Sequence, residues 1–275
     1  MNDLSGYIIV TGATGGIGGA ICRKIVAAGG SVIATCRDSK RGNAFVNELR
    51  QLAAAGADVR CEQLRLDDID SIHGFCRRVE GLPISSLISN AGVMCRNYSL
   101  VAGGLEQTMA VNYFGTVLLA KLLLPVIERD GSMVFTTSIT RRLHSLSENI
   151  LCPSEKDFSQ LGTYGRSKLA LTHYTMYLAE ECAGRLRVNC ADPGVVNSGM
   201  ITMHRWFDPL ANLFFRPFIS SPGRGAESAL QACRSQLTGM IFHHSHSHPI
   251  GKELQHDASH YRLITQTEEW LKQNA

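Results

Sequence analysis

Tyr164 and Lys168 are the residues whose types and spacing raise the first chemical question. They stand four positions apart in LGTYGRSKLALTHY, residues 161–174, a segment whose pattern predicts a helix. Side chains at positions i and i+4 of a helix are neighbours. A free phenol has a pKa of about 10, too high for efficient proton exchange at neutral pH, and a nearby cation lowers it. The pair is a candidate general acid–base, although such a pair alone could be an ordinary solvated face. Ser138, which ends a predicted strand at 132–138, adds a hydroxyl that could hydrogen-bond a substrate oxygen.

A glycine-rich turn forms the second candidate site. The segment TGATGGIG, residues 11–18, follows a β-rich run at 7–11 and opens a helical pattern. Glycines allow a tight turn and a close approach of the backbone to a pyrophosphate, and the following helix N-terminus offers free N–H groups. A plain strand–helix turn would need one glycine, whereas this turn has four. The segment therefore predicts a dinucleotide site built on Gly12, Gly15, Gly16 and Gly18.

The end of the second predicted strand bears on which dinucleotide binds. An acidic residue roughly 20 positions after the glycines would bind the ribose hydroxyls of NAD. The sequence here is ATCRDS, with Arg37 near that position and Asp38 beside it. An arginine can pair with a 2′-phosphate through two parallel hydrogen bonds. NADP(H) is therefore favoured, while Asp38 leaves NAD(H) open.

The elements that must position these residues alternate between strand and helix. Because parallel strands need crossover connections, this alternation predicts an α/β fold, a doubly wound parallel sheet with helices on both faces. No linker or repeat divides the chain, so residues 1–275 are predicted to be a single domain. The predicted strands are 7–11, 31–36, 58–64, 85–90, 132–138 and 186–192, and the predicted helices after the first one are 39–55, 67–80, 105–129 and 164–183.

Composition excludes several classes of function. A formal charge of +3 without a basic run gives no reason to expect a nucleic-acid partner. The longest apolar run, 115–127, is too short to span a membrane and contains Lys121. The N-terminus does not have the pattern of a signal peptide. Nine scattered cysteines without a CxxC pair favour reduced thiols, so we expect a cytoplasmic protein.

Taken together, the motifs resemble the short-chain dehydrogenase/reductase family, a Rossmann-fold family. They occur in the family's order and cover most of the chain. Their flanking segments 35–42 and 214–230 look most similar to the branch of retinol dehydrogenases and the WW-domain oxidoreductase. The matching segments are TGATGGIG at 11–18, NAG at 90–92, VNYFG at 111–115, Ser138, YGRSK at 164–168 and DPGVV at 192–196.

The resemblance implies a role for each matching residue. Tyr164 would exchange the proton with the substrate oxygen, Lys168 would lower its pKa and bind the nicotinamide ribose, and Ser138 would polarise the carbonyl. Asn112 would hold a water molecule in the proton relay. The implied catalytic residues are Asn112, Ser138, Tyr164 and Lys168. The implied cofactor-binding residues are Gly12, Thr14, Gly15, Gly16, Ile17, Gly18, Arg37, Asn90, Ala91, Gly92, Tyr164, Lys168, Pro193, Gly194, Val196 and Ser198.

Two positions depart from the family's pattern. Arg65 stands where an aspartate usually contacts adenine, and Asp67 would replace it only if the register shifted. Ser198 stands where a threonine is usual near the carboxamide, so a hydroxyl remains. The glycine segment 11–18 also fits the pattern of sugar-nucleotide epimerases and dehydratases, but NAG at 90–92, Asn112 and the modest chain length favour the shorter, oxidoreductase branch.

Two segments bear on substrate and metal binding. The apolar stretch 199–219, within a predicted lid at 197–223, favours a steroid, a retinoid or a long-chain keto lipid, or it simply packs as core or at a subunit contact. The segment FHHSHSHP, 242–249, contains four histidines but no interleaved Cys, Asp or Glu. We therefore expect a polar surface loop and no metal there.

The resulting prediction is an NAD(P)-dependent enzyme that interconverts a carbonyl and an alcohol by hydride transfer. The alternatives are a nucleotide-sugar epimerase or dehydratase, and a non-catalytic protein that senses dinucleotides. The resemblance also implies a homodimer or homotetramer that forms through the helices at 105–129 and 164–183.

Overall fold

The computed structural model describes residues 6–146, 151–194 and 221–275. In this part of the chain the strands form one eight-stranded sheet in the order β3-β2-β1-β4-β5-β6-β7-β8. Neighbouring strands from β3 to β7 pair in parallel, and β8 is antiparallel to β7. The predicted α/β fold with a doubly wound parallel sheet is confirmed. The strands are β1 (Tyr7–Val10), β2 (Ser31–Cys36), β3 (Val59–Gln63), β4 (Ile84–Ser89), β5 (Ile127–Thr136), β6 (Arg187–Asp192), β7 (Met240–His243) and β8 (His246–Pro249).

Helices cover both faces of the sheet, and each face has its own apolar core. One core forms around α1, α2 and α7, and the other around α3, α5, α6 and α8. Strands such as β1, whose four residues are all buried, consist of consecutive apolar residues because helices pack against both faces of the sheet. The helices are α1 (Gly16–Ala27), α2 (Ser39–Leu52), α3 (Ile69–Val79), α4 (Gln107–Met109), α5 (Gly115–Leu123), α6 (Gln160–Glu181), α7 (Pro222–Arg234) and α8 (Ala258–Asn274).

The order of the strands places the ligand crevice. The order reverses between β1 and β4, which are neighbours in the sheet although β2 and β3 separate them in the chain. In open parallel sheets, ligands bind beyond the carboxyl ends of the strands at such a reversal. The glycine turn at 11–18 follows β1, and the segment 90–92 follows β4, so both lie at this point.

A π-helical turn interrupts the helix that was predicted at 105–129. It spans Ala110–Phe114 and separates α4 from α5. Gly115, directly after it, packs so closely that an added Cβ would lie 1.9 Å from the carbonyl oxygen of Leu66. π-turns of this kind are rare and are often found at functional sites. This one contains Asn112.

The helix α6 is enclosed within its own chain. Residues 167–176, ten in succession, are all buried, although an amphipathic surface helix would expose one face. The sheet covers one side, and α8 packs against the other through Leu263, Ile264 and Leu271. Tyr113 and Thr267 share a hydrogen bond of 2.5 Å beneath α8. Because α8 lies against α6, an oligomer contact through the helices at 105–129 and 164–183 would have to include α8. The expected homodimer or homotetramer stays a prediction.

The histidine-rich segment 242–249 is not the polar loop that was expected. It forms most of the β7–β8 hairpin, in which His243 pairs with His246 across a turn at His244. Its polar residues fit this position because β8 is the last strand of the sheet and is largely exposed.

Further predictions concern the lid, the membrane-spanning potential, the location and the domain organisation of the chain. The predicted lid at 197–223 lies almost entirely outside the described residues, and its last three residues are the N-cap and the first two residues of α7. In the described ranges, no helix is both long and apolar enough to cross a bilayer. The cytoplasmic location and the single-domain organisation over 1–275 stay predictions.

Candidate active site

The glycine turn has the shape that a pyrophosphate site needs. Gly12 has φ +65°, in the left-handed region that favours glycine. A Cβ added to Gly18 would lie 2.3 Å from the carbonyl oxygen of Gly12, so only glycine fits there. In the part of the chain that the structure describes, no side chain caps the N-terminus of α1 at Gly15, and the first turn of α1 has no acidic residue. Its free N–H groups and positive dipole end therefore suit an anion. The predicted residues Thr14, Gly15, Gly16 and Ile17 are exposed or half-buried along this turn.

Asn90 and Ala91 hold this turn against the end of β4. The hydroxyl oxygen of Thr11 accepts hydrogen bonds of 2.9 Å from the N–H groups of both residues. The side-chain amide of Asn90 donates to the carbonyl oxygen of Thr11 at 3.0 Å. Asn90 thus supports the glycine turn. Thr11 was not among the predicted site residues, although its place in the TGATGGIG motif is the signal that could have identified it.

The end of β2 presents a cationic surface. Arg37 is exposed, and within the described ranges its guanidinium has no hydrogen-bond or ion-pair partner. Asp38, by contrast, is the N-cap of α2: its Oδ1 accepts from the backbone N–H groups of Lys40 at 2.8 Å and Arg41 at 3.3 Å. Lys40 and Arg41 are exposed beside Arg37. Three cations within five residues, next to a carboxylate engaged in capping, suit a phosphate better than ribose hydroxyls alone.

Arg65 and Asp67 interact with each other. The Nε of Arg65 lies 3.4 Å from the Oδ1 of Asp67, whose side chain is 12% exposed. The charges of Arg37 and Asp67 both act on the half-buried thiol of Cys95, so both side chains lie within electrostatic range of that thiol. A contact of Asp67 with adenine stays a prediction.

Asn112 connects three segments of the site. Its side chain is fully buried in the π-turn. Its Oδ1 accepts from the N–H of Val93 at 2.8 Å, while its Nδ2 donates to the carbonyl of Val93 at 2.9 Å and to the Oγ of Ser167 at 3.0 Å. Both amide N–H groups are therefore used by the protein. Asn112 fastens the segment after β4 to α6, and its role in holding a water molecule stays a prediction.

Ser138, Tyr164 and Lys168 converge at the carboxyl ends of β5 and β6. Lys168 is buried, and its Nζ donates to the carbonyl oxygen of Thr136 at 2.8 Å. The same Nζ lies 5.8 Å from the centre of the Tyr164 ring and 3.4 Å from where a Cβ on Gly92 would lie. The Tyr164 hydroxyl shares a side-chain hydrogen bond with Ser138. The structure thus brings these three predicted residues together with Gly92.

Burial is the largest cause of the pKa shifts of Tyr164 and Lys168. It raises the pKa of Tyr164 to about 12, and the negative charge of Asp192 acts in the same direction, whereas the Ser138 hydrogen bond opposes it. Burial also lowers the pKa of Lys168 to about 8. In the protein alone, desolvation of the phenolate thus sets the direction of the Tyr164 shift, and the expectation that Lys168 lowers the pKa of Tyr164 stays a prediction.

The turn after β6 completes the crevice. Pro193 is buried, and Gly194 has φ +71° and donates its N–H to the Oδ1 of Asp192 at 3.0 Å. A Cβ on Gly194 would lie 3.2 Å from His243 and 3.3 Å from His244, so the hairpin borders this turn. Two further predicted residues, Val196 and Ser198, lie outside the described residues. The sequence reasoning also missed the buried Arg141, which follows Ser138 and contacts Asp192; an arginine in a polar stretch carries no local signal of burial.

Comparisons with known proteins agree with this geometry. The family model described as short chain dehydrogenase matches residues 6–206. Human (Homo sapiens) retinol dehydrogenase 12 is 31% identical over 244 residues, which cover 86% of this chain and 76% of that protein. Mouse (Mus musculus) polyprenol dehydrogenase is 32% identical over 246 residues, which cover 84% of this chain and 72% of that protein. Among solved structures, an uncharacterized protein from Mycobacterium paratuberculosis superposes with a TM-score of 0.73 at 25% identity, covering 98% of this chain and 94% of that one.

Proposed function

Because the chain belongs to the short-chain dehydrogenase family, in its retinol-dehydrogenase-like branch, we propose that it interconverts an apolar carbonyl compound and its alcohol with NADP(H). Family membership makes it an oxidoreductase that acts on CH–OH and C=O groups. The observation that carries the proposal is the convergence of Ser138, Tyr164 and Lys168 beside a glycine turn that fits a pyrophosphate.

The protein's own residues account for the proton transfer and the positioning. In the direction of reduction, the hydroxyls of Ser138 and Tyr164 donate hydrogen bonds to the carbonyl oxygen, and Tyr164 then donates its proton to the developing alkoxide. The buried ammonium of Lys168 stabilises the phenolate that remains. When bound, the nicotinamide supplies the hydride in reduction and accepts it in oxidation.

The cofactor preference rests on the cationic surface after β2. The exposed side chains of Arg37, Lys40 and Arg41 would surround the 2′-phosphate of NADP(H), and the free N–H groups of α1 would bind the pyrophosphate. Asp38 supports this preference, because its capping hydrogen bonds to α2 hold its carboxylate in place. NAD(H) remains the alternative cofactor.

Exposed aliphatic side chains support an apolar substrate. Ile139, directly after Ser138, is 44% exposed, and Leu161, three residues before Tyr164 on α6, is 46% exposed. Leu143 is 68% exposed in the segment that packs against the start of α6. Large aliphatic side chains exposed around one site are typical of a surface that binds an apolar molecule. The predicted substrates are therefore retinoids, steroids or long-chain keto lipids.

Fluorescence titration with NADPH and NADH tests the proposal. We expect wild-type protein to prefer NADPH. Arg37→Gln should weaken NADPH binding by about 10–100-fold, the equivalent of one charge-assisted pair, and should leave NADH binding unchanged. The control is Arg129→Gln, which removes an exposed arginine from the amino-terminal half of β5. Equal affinities for the two dinucleotides in wild type would contradict the preference, and binding without turnover of any carbonyl compound would favour the non-catalytic alternative.

A further inference from the structure

Arg141 is a buried cation next to the catalytic serine. It lies in the short 3₁₀ turn Ile139–Leu143 that follows Ser138, and its side chain is only 2% exposed. One of its terminal nitrogens, Nη1, donates to the carbonyl oxygen of Ser138 at 2.8 Å and to the Oδ2 of Asp192 at 2.6 Å. Its Nε and Nη2 lie 3.0 Å and 2.8 Å from the Oε2 of Glu253. One guanidinium thus joins three segments that are distant in the chain.

The burial of this ion group calls for an explanation other than stability. Removing charged groups from water is costly, and a buried ion pair often contributes little or no net stabilisation over apolar packing. Its hydrogen bonds are instead directional, because the planar guanidinium presents its donors in a fixed fork. The carboxylate of Asp192 is 3% exposed and that of Glu253 is 13% exposed, so water competes weakly for these bonds. The arrangement therefore fixes positions.

The bonds end on two parts of the site. Arg141 donates to the carbonyl oxygen of Ser138 and so holds the backbone of this residue, whose hydroxyl is hydrogen-bonded with Tyr164. Through Asp192, which accepts from the N–H of Gly194 at 3.0 Å, it also holds the turn after β6. In the described ranges, no hydrogen bond or ion pair joins Arg141 directly to the glycine turn, Asn112 or Lys168, so its direct bonds end on Ser138, Asp192 and Glu253.

We propose that Arg141 is a positioning residue that fixes Ser138 and the Asp192–Gly194 turn relative to each other for the reaction; this role rests on the proposed function. The guanidinium also balances the charge of Asp192, which acts on both Tyr164 and Lys168. A lysine would keep the charge but would lack the fork that reaches Ser138, Asp192 and Glu253 at once.

The test compares Arg141→Lys, Arg141→Gln and Asp192→Asn with the control Arg142→Gln. Arg142 is next in the chain and also pairs with Glu253, but it is 52% exposed, and none of its described hydrogen bonds or ion pairs ends on Ser138 or Asp192. We expect kcat to fall by about 10–100-fold in both Arg141 variants, with KM and the NADPH affinity within about threefold of wild type. Arg142→Gln should retain the wild-type kcat.

A single variant that leaves an unpaired buried charge could fail to fold. The double variant Arg141→Gln/Asp192→Asn removes both charges of the buried pair and provides a second test. Its kcat should be no lower than that of the worse single variant, because both changes break the same link. Hydrogen exchange provides a readout without cofactor or substrate: the segments 138–143 and 190–194 should exchange faster in the Arg141→Gln protein but not in the Arg142→Gln protein.

Two outcomes would overturn the positioning role. One is a lower melting temperature in the Arg141 variants with kcat per folded enzyme within twofold of wild type. The other is full recovery of kcat in Arg141→Lys, which would mean that charge alone matters. If wild-type protein reduces no carbonyl compound, the proposed function fails; the exchange experiment then still decides whether Arg141 links the two segments.

Discussion

At the scale of single residues, burial shifts the pKa values of two neighbouring groups in the site, the Tyr164 phenol and the Lys168 amine, in opposite directions. Burial raises the pKa of Tyr164 to about 12 and lowers the pKa of Lys168 to about 8. Both shifts favour the neutral form, because a low-polarity environment disfavours charge of either sign. At neutral pH the protein alone therefore holds a protonated phenol next to a protonated amine. This is the state that carbonyl reduction requires.

The pH dependence of reduction follows from these values. Lys168 loses its proton as the pH rises through about 8, whereas Tyr164 stays protonated until about 12. We expect kcat/KM for reduction to be level near neutral pH and to fall above about pH 8, since kcat/KM reports groups of the free enzyme. Steady-state rates from about pH 6 to about pH 10 check this. A level profile across the whole range would show that the charge of Lys168 is not required.

At the scale of elements, the junction of β1 and α1 is shaped by contacts that leave no room for side chains. Gly18 lies in the first turn of α1, where an added methyl would collide with the carbonyl of Gly12 and approach the Nδ2 of Asn90 to 2.8 Å. Gly74 lies in α3, where the nearest atom to an added Cβ is a flexible Arg78 nitrogen at 3.4 Å. A side chain therefore cannot be added at Gly18 unless the backbone moves, whereas Gly74 has room for one.

Gly18→Ala and Gly74→Ala form a matched pair. Gly18→Ala should destabilise the protein by about 1–3 kcal/mol through overpacking, and it should weaken NADPH binding by at least about tenfold, because the turn must move. Gly74→Ala should leave binding unchanged and should raise stability by about 0.5–1 kcal/mol. Thermal unfolding and NADPH titration measure both effects. Similar losses of NADPH affinity in the two variants would refute the role assigned to the turn.

The sequence predicted the elements that carry local signals and missed those that depend on distant partners. The glycine turn and the Tyr164–Lys168 helix have recognisable spacing, and the structure has both. The strand β8 reads as a polar loop because it is an exposed edge strand, formed by pairing with β7. The sequence analysis predicted no helix at the position of α8, although Leu263, Ile264 and Leu271 have helical spacing. Arg141 could not be predicted as buried, since its two carboxylate partners lie more than fifty and more than a hundred residues away.

At the scale of the whole molecule, α8 completes the fold by covering α6. The contact between the two helices includes a buried histidine pair: the Nδ1 atoms of His173 and His260 lie 3.0 Å apart, and the side chains are 5% and 2% exposed. Burial lowers the pKa of His173 to about 4, with a further contribution from the charge of His260. Burial also lowers the pKa of His260. At neutral pH the pair is uncharged and shares one hydrogen bond.

This pair should make the folded protein sensitive to acid. A histidine whose pKa is lower in the folded protein than in the unfolded chain stabilises the fold at pH values above its unfolded pKa of 6.5. This stabilisation is lost as the pH falls toward the folded pKa of about 4. Over that range, the unfolding free energy of wild type should fall by up to roughly 3 kcal/mol more than that of His173→Gln. Denaturant unfolding at several pH values measures this, with His246→Gln, which removes an exposed histidine, as control. Equal pH dependence in wild type and His173→Gln would contradict the account.

The reaction itself is tested most directly by the Tyr164→Phe protein. With NADPH and an apolar aldehyde such as retinaldehyde, the oxidation of NADPH is followed for wild type and variant, after titration has shown that both bind NADPH. We predict turnover by wild type and a loss of roughly 10²–10⁴-fold in the variant, with NADPH affinity within about threefold, because only the proton donor is removed. Unaltered turnover by Tyr164→Phe would contradict the assignment of Tyr164 as the acid–base of a carbonyl/alcohol oxidoreductase.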